Sequence, residues 1–183
     1  MFKLRHLVFR ERLNWQVQSI VGRERDKYDD LNPVYVVCCN DENTVEGCWR
    51  LLPTTGPYML KDIFPELLAH HPAPRHPSVW EASRFAVHTQ ERSYRSIAGL
   101  NRITKMMLAA LHEFGMQHDI KKIVAVSDVR FERLLVRSGA SVNRFGPPRH
   151  IGDVKAVAGW LDINEASLSR VSARAGIHGP TLH

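Results

Sequence analysis

The chain has 183 residues, 44% of them hydrophobic, which is enough for one buried core and too few for two domains. It contains no apolar run of the roughly 18 residues that indicate a membrane-spanning helix, and its first residues, MFKLRHLVFRERLNW, lack the apolar stretch of a secretion signal. We therefore expect one domain over residues 1–183, soluble, cytoplasmic and without membrane insertion. The 25 Lys and Arg residues outnumber the 19 Asp and Glu residues, and the net charge of +6 favours an acidic partner.

Several classes of site are excluded by the motifs that the sequence lacks. The three cysteines, Cys38, Cys39 and Cys48, have no spaced Cys or His partners, so we predict free buried thiols and no bound metal. No G-x-S-x-G or glycine-rich phosphate loop occurs. The basic residues are dispersed and accompany no known nucleic-acid-binding motif, so composition alone leaves nucleic acid and an acidic protein as alternative partners.

The first half of the chain begins with a predicted short helix over residues 2–12, where apolar residues recur at helical spacing. Residues 16–33 are polar and aperiodic, which predicts an extended loop. VYVVCC and VEGCWRLL flank the turn-rich NDENT and predict a hairpin. LKDIFPELL is a helical patch that Pro65 either interrupts or begins.

The second half opens with the Pro-rich and His-rich HHPAPRHP, which we interpret as an exposed, rigid connection to the strand VWEASRFAV. Apolar residues on one face predict the longest helix over residues 96–116. KKIVAVS is a predicted strand, and DVRFERLLVRSG a helix with Ser127 or Asp128 as N-cap and Gly139 as C-cap. VKAVAGWLDI is the last predicted strand, and this mixed order of elements indicates an α/β or α+β layer fold.

Charged and polar residues interrupt the otherwise strand-like VWEASRFAV at Glu81, Ser83 and Arg84. Buried charges persist only when they are paired, so both ions need partners. In a regular strand Glu81, Ser83 and Phe85 share one face and Arg84 lies on the other, so Glu81 and Arg84 line one site only if the strand bulges. The candidate partners are Arg5, Asp26, Asp29 and Arg50. A functional site and a structural ion-pair network remain alternatives.

Four fragments in order resemble the LuxI-type acyl-homoserine-lactone synthases. They are Arg5, Phe9 and Trp15 as R-x3-F-x5-W, ERDKYDD, GCWRLLPTTGPYML, and WEASRF with Glu81 and Arg84. The likeness runs from residue 5 to about residue 162. Family members carry a short strand and part of a helix before the first arginine, so the resemblance also predicts that an amino-terminal segment of the site wall is not represented.

The resemblance implies a fold like that of GCN5-type N-acetyltransferases, a three-layer α/β (α+β) arrangement with a twisted mixed β-sheet between helices and a central acyl-chain cleft. It implies transfer of an acyl group from acyl-acyl carrier protein to the amine of S-adenosylmethionine, then lactonisation and release of methylthioadenosine, producing a quorum-sensing signal. S-adenosylmethionine is then a substrate, and no cofactor, metal or nucleic acid is expected.

The site residues that the resemblance implies fall into two sets. Glu81 is the expected proton acceptor, with Ser83 as a water or oxyanion partner. The residues expected to bind or brace S-adenosylmethionine are Arg5, Phe9, Trp15, Asp26, Asp29, Arg50, Arg84 and Phe85. The rings of Phe9 and Trp15 either contact the substrate or pack as hydrophobic staples of the amino-terminal segment.

Two further sets concern the acyl donor. The expected wall of the acyl-chain pocket is Met106, Met107, Val124, Ala125 and Val126, although the methionines also suit a plain core. Family members that make 3-oxo signals have a threonine where this chain has Ala125 or Val124, so we expect unsubstituted acyl chains. The expected carrier-protein docking residues are Lys105, Lys121, Lys122, Arg130, Arg133 and Arg137.

Two rival functions remain at this point. One is an N-acyltransferase of the same fold that uses acyl-coenzyme A and another amine. The other is a basic nucleic-acid-binding regulatory module. Release of methylthioadenosine separates the synthase from the first rival, and binding of S-adenosylmethionine separates it from the second.

Overall fold

The computed structural model describes residues 1–88 and 102–183, in which a mixed β-sheet lies between two layers of helices. The main sheet has the order β3-β4-β5-β6-β9-β7, with β8 also paired to β9. All of its pairings are antiparallel except that of β5 with β6. Within the described ranges, no helix is both long and apolar enough to cross a membrane.

The strands have the following bounds: β1 Ser19–Ile20, β2 Arg23–Glu24, β3 Val34–Cys39, β4 Val45–Pro53, β5 Val79–Val87, β6 Lys122–Asp128, β7 Val142–Arg144, β8 Arg149–Ile151 and β9 Val154–Asp162. The helices are α1 Phe2–Arg5, α2 Met59–Asp62, α3 Arg102–Gln117, α4 Val129–Arg137 and α5 Glu165–Ala175. A π-helical segment, His6–Arg12, continues α1, and 3-10 turns cover Lys27–Asp30 and Pro65–Leu68.

One face of the sheet is covered by α3, α4 and α5. Their apolar residues join those of the strands in one core that includes Trp49, Leu51, Met107, Leu111 and Ile123. Because side chains alternate along a strand, every second residue of β4, β5 and β6 points away from this core.

The opposite face carries three smaller apolar clusters, the smallest of which is formed by Tyr28, Leu52 and Met59. Leu4, Val8 and Phe9 pack against β4 and β5, and the segment around α2 packs against Val124 of β6. The buried charged residues Arg5, Glu24, Asp29 and Arg50 lie on this face. The three layers and the mixed sheet confirm the predicted fold class.

The central strands β5 and β6 stay paired over only three residues. Their parallel pairing runs from Val79 with Lys122 to Glu81 with Val124 and then ends, although both strands continue. Beyond that point β5 pairs only with β4, and β6 only with β9, among the described residues. The two strands therefore diverge towards their carboxyl ends, and a gap opens in the middle of the sheet.

A β-bulge interrupts β5 beside this gap. Cys48 pairs with Ala86 but Arg50 pairs with Ser83, so Arg84 and Phe85 together oppose Trp49. Arg84 has φ of 53°, a left-handed conformation that is uncommon for a residue with a side chain. The bulge that Glu81 and Arg84 need in order to line one site is therefore present. From Arg84 onward, each side chain of β5 points to the opposite face from the one that a regular strand would give it.

Most predicted helices and strands are confirmed, and the differences are the content of the loop 16–33 and three elements that were not predicted. The predicted loop 16–33 contains the β1–β2 hairpin and a 3-10 turn, and β7, β8 and α5 were not predicted. Asp128 is the N-cap of α4, where its carboxylate accepts a hydrogen bond from the N–H of Phe131. The predicted helix 96–116 is confirmed from Arg102, and its first residues lie outside the described ranges.

The cysteines are free, but the prediction that all three are buried is wrong. Cys48 is buried, Cys38 is half-buried and Cys39 is exposed at the end of β3. Alternation along this edge strand turns Cys39 away from the core that Cys38 contacts. Burial raises the pKa of Cys48 to about 11, which makes its thiol unreactive near neutral pH.

Candidate active site

Three arginines and three carboxylates from separate segments meet on the face of the sheet opposite α3. The arginines are Arg5 of α1, Arg50 of β4 and Arg84 of β5, and the acids are Glu24, Asp26 and Asp29. The formal charges of these six residues cancel, which allows the group to be buried. We call these six residues the ion-pair network.

Asp29 lies at the centre of the network. It accepts two parallel hydrogen bonds from Arg5, at 2.7 and 2.9 Å, and further bonds from Arg50 and the hydroxyl of Tyr35. Burial alone raises the pKa of Asp29, but the hydrogen bonds from Arg5, Tyr35 and the N–H of Asp26 outweigh it and hold that pKa well below its usual range. Asp29 therefore stays ionised.

Arg50 is fully buried and links the network to β5. Its Nη1 donates to Asp26 at 2.5 Å and to Asp29 at 2.9 Å, and its Nε donates to the hydroxyl of Ser83 at 3.1 Å. The third edge of the guanidinium approaches the sulfur of Met59 at 3.1 Å. This arginine is held on all sides by the protein itself.

Arg84 and Asp26 form the accessible edge of the network. Their side chains are 14% and 17% exposed, whereas those of Arg5, Glu24, Arg50 and Asp29 are 0% exposed. Nη2 of Arg84 lies 2.7 Å from Oδ2 of Asp26. Oδ2 of Asp26 is itself buried, so a ligand that reaches this edge meets the partly exposed side chains of Arg84 and Asp26 as an existing pair.

Two aromatic rings border the accessible edge. The rings of Phe9 and Trp15 are stacked, with centroids 5.1 Å apart, and the guanidinium of Arg84 lies 5.6 Å from the centroid of Phe9. Phe9 is buried, but Trp15 is 38% exposed. Phe9 is therefore a packing residue, whereas Trp15 has enough exposed surface to contact a ligand.

Glu81 lies on the same face of β5, closer to the point where β5 and β6 separate. Its carboxylate is buried and accepts hydrogen bonds from the N–H groups of Met59, at 2.9 Å, and Leu60, at 2.6 Å. Burial raises the pKa of Glu81 to about 7, although those backbone bonds and the nearby charge of Arg50 act in the opposite direction. Glu81 can therefore exchange a proton near neutral pH.

The structure corrects the expected position of Phe85. The bulge at Arg84 turns Phe85 to the other face of the sheet, where its ring contacts those of Trp49 and Phe131, at 4.8 and 4.9 Å between centroids. Phe85 is therefore not beside the ion-pair network. It fills the α3 side of the gap between β5 and β6.

The expected wall of the acyl-chain pocket is divided between the two faces of the sheet. Met107 packs in the core under α3, whereas Val124 and Val126 pack against the cluster around α2. Ala125 lies between them on β6 and faces the α3 side, as alternation requires. Met106 is half-buried on α3. Three consecutive residues of one strand do not share a face, so the five residues do not form one continuous wall.

The six expected docking residues also fall into two groups. Arg130, Arg133 and Arg137 are exposed on α4, which follows the carboxyl end of β6. Lys105 is half-buried near the start of α3, two residues after Ile103, which lies over Gly47 opposite the end of β5. Lys121 and Lys122 are exposed at the amino end of β6, away from the gap.

Glu24 is a site residue that the sequence did not single out. It is fully buried and accepts hydrogen bonds from Nε of both Arg5 and Arg84. The sequence feature that could have identified Glu24 is its position in RERDKYDD, two residues before Asp26. In an extended segment, residues two apart have their side chains on the same side. Tyr35 was missed as well, and its hydroxyl contact depends on the register of β3 with β4.

Comparison with known proteins identifies the family. The sequence profile described as autoinducer synthase matches residues 1–171. The chain is 43% identical over 166 residues to an acyl-homoserine-lactone synthase of Pseudomonas aeruginosa, covering 90% of this chain and 81% of the relative.

Solved structures agree with this assignment. The AHL synthase LasI superposes with a TM-score of 0.81 at 40% identity, covering 96% of this chain and 85% of LasI. The CoA-dependent acyl-homoserine lactone synthase BjaI, solved with SAM and isopentyl-CoA and also with MTA, gives a TM-score of 0.85 at 30% identity, covering 97% of this chain and 81% of BjaI. The three-layer architecture is thus a GNAT-like fold, as the sequence resemblance implied. The chain belongs to the autoinducer synthase family and is an acyltransferase, an acyl-homoserine-lactone synthase.

Proposed function

We propose that the chain transfers an acyl group from acyl-acyl carrier protein to the amine of S-adenosylmethionine at the ion-pair network. The adduct then closes to the lactone and methylthioadenosine leaves. The observation that carries this proposal is the pairing of Arg84 and Asp26 at the accessible edge of an otherwise buried network. The methionine part of the substrate carries an ammonium, a carboxylate and a sulfonium, so it needs both signs of charge at short distance.

The roles within the site follow from exposure. Arg84 faces the substrate carboxylate and Asp26 faces its cationic centres, because these two side chains are accessible. Arg5, Asp29 and Arg50 brace them from below. The exposed ring of Trp15 contacts the sulfonium or the adenine, and Phe9 supports both Trp15 and Arg84.

Glu81 is the proposed general base. An α-amino group has a pKa of about 7.7 to 8.0, so its first proton is removed near neutrality at a cost of roughly 1 kcal/mol. The nitrogen loses a second proton as it attacks the thioester carbonyl, and an acceptor must lie within reach, directly or through one water. The carbon–sulfur bond of the thioester then breaks, the amide forms, and the donor leaves as a thiolate that takes up a proton. A carboxylate with a pKa of about 7 suits this task. Ser83 accepts from Arg50 and keeps its own O–H to donate to a water or the oxyanion.

Lactonisation requires mainly correct positioning. The substrate carboxylate attacks the carbon next to the sulfonium, the carbon–sulfur bond breaks, and methylthioadenosine carries the electron pair away. The substrate supplies both nucleophile and leaving group, so the protein contributes by holding the chain bent. Arg84 orients the carboxylate in this step.

The gap between β5 and β6 is the proposed acyl-chain site. Ala125 and Val126 border it on β6, Phe85 fills its α3 side, and Met106 and Met107 belong to the helix that covers it. Val124 is the last residue of β6 paired with β5 and marks the closed end of the gap. Ala125 has no hydroxyl to bind a 3-oxo group, so we expect unsubstituted acyl chains. Products from matched unsubstituted and 3-oxo donors test this expectation.

The donor proposal depends on charge. Lys105, Arg130, Arg133 and Arg137 lie on the two helices that flank the open end of the gap, and acyl carrier protein is strongly acidic. Lys121 and Lys122 lie at the other end and are not part of this proposal. With acyl-carrier protein the rate should fall as salt is added. A reaction that is faster with acyl-coenzyme A than with the matched acyl-acyl carrier protein would reverse the assignment of the donor, and BjaI is described as CoA-dependent.

One experiment tests the reaction as a whole. Purified protein is incubated with S-adenosylmethionine and an acyl thioester, and mass spectrometry follows acyl-homoserine lactone and methylthioadenosine. Glu81→Gln should suppress acyl transfer by about 10² to 10³-fold while the protein stays folded. Glu66→Gln, at an exposed acid near α2, is the matched control. A near-normal rate for Glu81→Gln removes Glu81 from the mechanism.

A further inference from the structure

Glu24 connects two arginines that play different roles in the network. Its Oε2 lies 2.5 Å from Nε of Arg5, and its Oε1 lies 3.1 Å from Nε of Arg84. The side chain is completely buried, so it has no surface for a substrate. Any effect of Glu24 on the reaction therefore acts through these two arginines.

The contact to Arg84 determines where that guanidinium points. The guanidinium is planar and its five N–H groups have fixed directions, so holding the Nε edge also sets the direction of the Nη edge. With Nε on Glu24, Nη2 of Arg84 lies 2.7 Å from Asp26 at the accessible edge. Phe9 supports the plane from one side.

The backbone makes this support necessary. Arg84 lies at the bulge with φ of 53°, a conformation that is unfavourable for an arginine and persists only where contacts hold it. Within residues 1–88 and 102–183, its side chain contacts Glu24, Asp26 and Phe9. Of these, only Glu24 is a fully buried charge.

We propose that Glu24 is a positioning residue for S-adenosylmethionine: it orients Arg84 so that the guanidinium edge next to Asp26 receives the substrate carboxylate. This inference rests on the proposed function of the Arg84–Asp26 edge. It assigns to the buried acid a selective effect on one of the two substrates.

Glu24→Gln keeps the size of the side chain and removes its charge. We expect the KM for S-adenosylmethionine to rise by at least about tenfold, in line with the loss of a hydrogen bond between charged groups. The KM for the acyl donor should stay within about twofold, since that substrate does not use Arg84. Glu24→Asp, which keeps the charge, should recover part of the loss. Asp30→Asn, at an exposed acid of the same segment paired with exposed Arg25, is the matched control and should change neither KM.

A double-mutant cycle separates positioning from general destabilisation. If Glu24 acts through Arg84, then Glu24→Gln should raise the KM for S-adenosylmethionine little or not at all in an Arg84→Gln background. Additive effects, or equal rises of both KM values, would overturn the proposal, and so would an unchanged KM in Glu24→Gln. If Glu24→Gln does not fold, the comparison of Glu24→Asp with wild type and with Arg84→Gln decides by the same criteria.

Calorimetric titration of the wild-type protein with S-adenosylmethionine distinguishes a failure of the proposed function from a failure of the role proposed for Glu24. Absence of binding to wild type contradicts the proposed function itself. Binding to wild type that Glu24→Gln retains at equal affinity contradicts only the role of Glu24.

Discussion

Arg50 offers the sharpest test of how the network contributes to stability. The side chain is fully buried and serves Asp26, Asp29, Ser83 and the sulfur of Met59 at once. Arg50→Gln leaves fully buried Asp29, and Asp26 at the accessible edge, without one of their cationic partners. Breaking a buried ion pair by removing one partner costs about 3–5 kcal/mol.

The expected change is large relative to the stability of a domain. For a chain of this size each kcal/mol lowers Tm by about 2–4 °C, so Arg50→Gln should lower Tm by roughly 6–20 °C. The assay is thermal unfolding followed by circular dichroism at neutral pH and low salt, repeated in urea to obtain the free energy of unfolding. Arg50→Lys should recover little, since an ammonium cannot reproduce the planar fork.

The control for this prediction is an exposed ion pair of the same kind. Arg25 and Asp30 lie 2.5 Å apart with both side chains more than half exposed, and Arg25→Gln should cost less than about 1 kcal/mol. If Arg50→Gln destabilises the protein no more than Arg25→Gln does, the network is not held by buried charge pairing and the reasoning is refuted.

Three further predictions concern Asp29, Glu81 and Gly159. The depressed pKa of Asp29 adds stability that is present above the unfolded-state value and is lost as pH falls below about 4, so Asp29→Asn should flatten the acid limb of urea unfolding measured at several pH values. Glu81 must be ionised to accept a proton, so kcat/KM should rise with pH through about 7, below the rise that the substrate amine itself causes near its pKa of about 7.7 to 8.0. Glu81→Gln should remove the lower of these two limbs from the pH profile of its residual activity and leave the upper one. A Cβ at Gly159 would lie 2.3 Å from the carbonyl oxygen of Asn143, so Gly159→Ala should lower Tm, whereas Gly56→Ala, with open space around it, should not.

Much of the fold could be predicted because local patterns coincide with the tertiary arrangement. The strands β3 to β6 and β9 and the helix α4 have clear apolar patterns with turn or cap residues at their ends. The hairpin β1–β2 was hidden because its turn uses Val21 and Gly22, both with positive φ, where an Asn-Gly pair would have been the usual signal. The short strands β7 and β8 are only three residues long, too short for a period to show.

Helix α5 was not predicted, although the sequence contains signals for both of its ends. Asn164 and Ser167 form a reciprocal capping box at its start, and Gly176 ends it with φ of 66°. Both signals are local and readable, but the segment has few apolar residues, and the helix is stabilised by packing against α3 through residues such as Val171.

The members of the site were largely predictable, but their connections were not. Motif resemblance and the charges inside β5 indicated Arg5, Asp26, Asp29, Arg50 and Arg84. Which acid pairs with which arginine depends on the bulge and on the register of β4 with β5, and no local pattern encodes these. The same bulge that turns Arg84 towards the network turns Phe85 to the other face, and this effect on Phe85 was not anticipated when it was placed among the substrate-binding residues.

The short seam between β5 and β6 has a consequence for substrate size. The seam consists of three residue pairs, and the strands beyond it share no backbone pairing within the described ranges. Widening the sheet at that end therefore breaks no ladder hydrogen bonds between these two strands. The contact between the rings of Phe85 and Phe131 is the feature that we expect to oppose a bulkier acyl chain. At the acyl-chain site proposed for this gap, we therefore expect the tolerance for longer acyl chains to depend on these two rotatable side chains and not on the backbone framework.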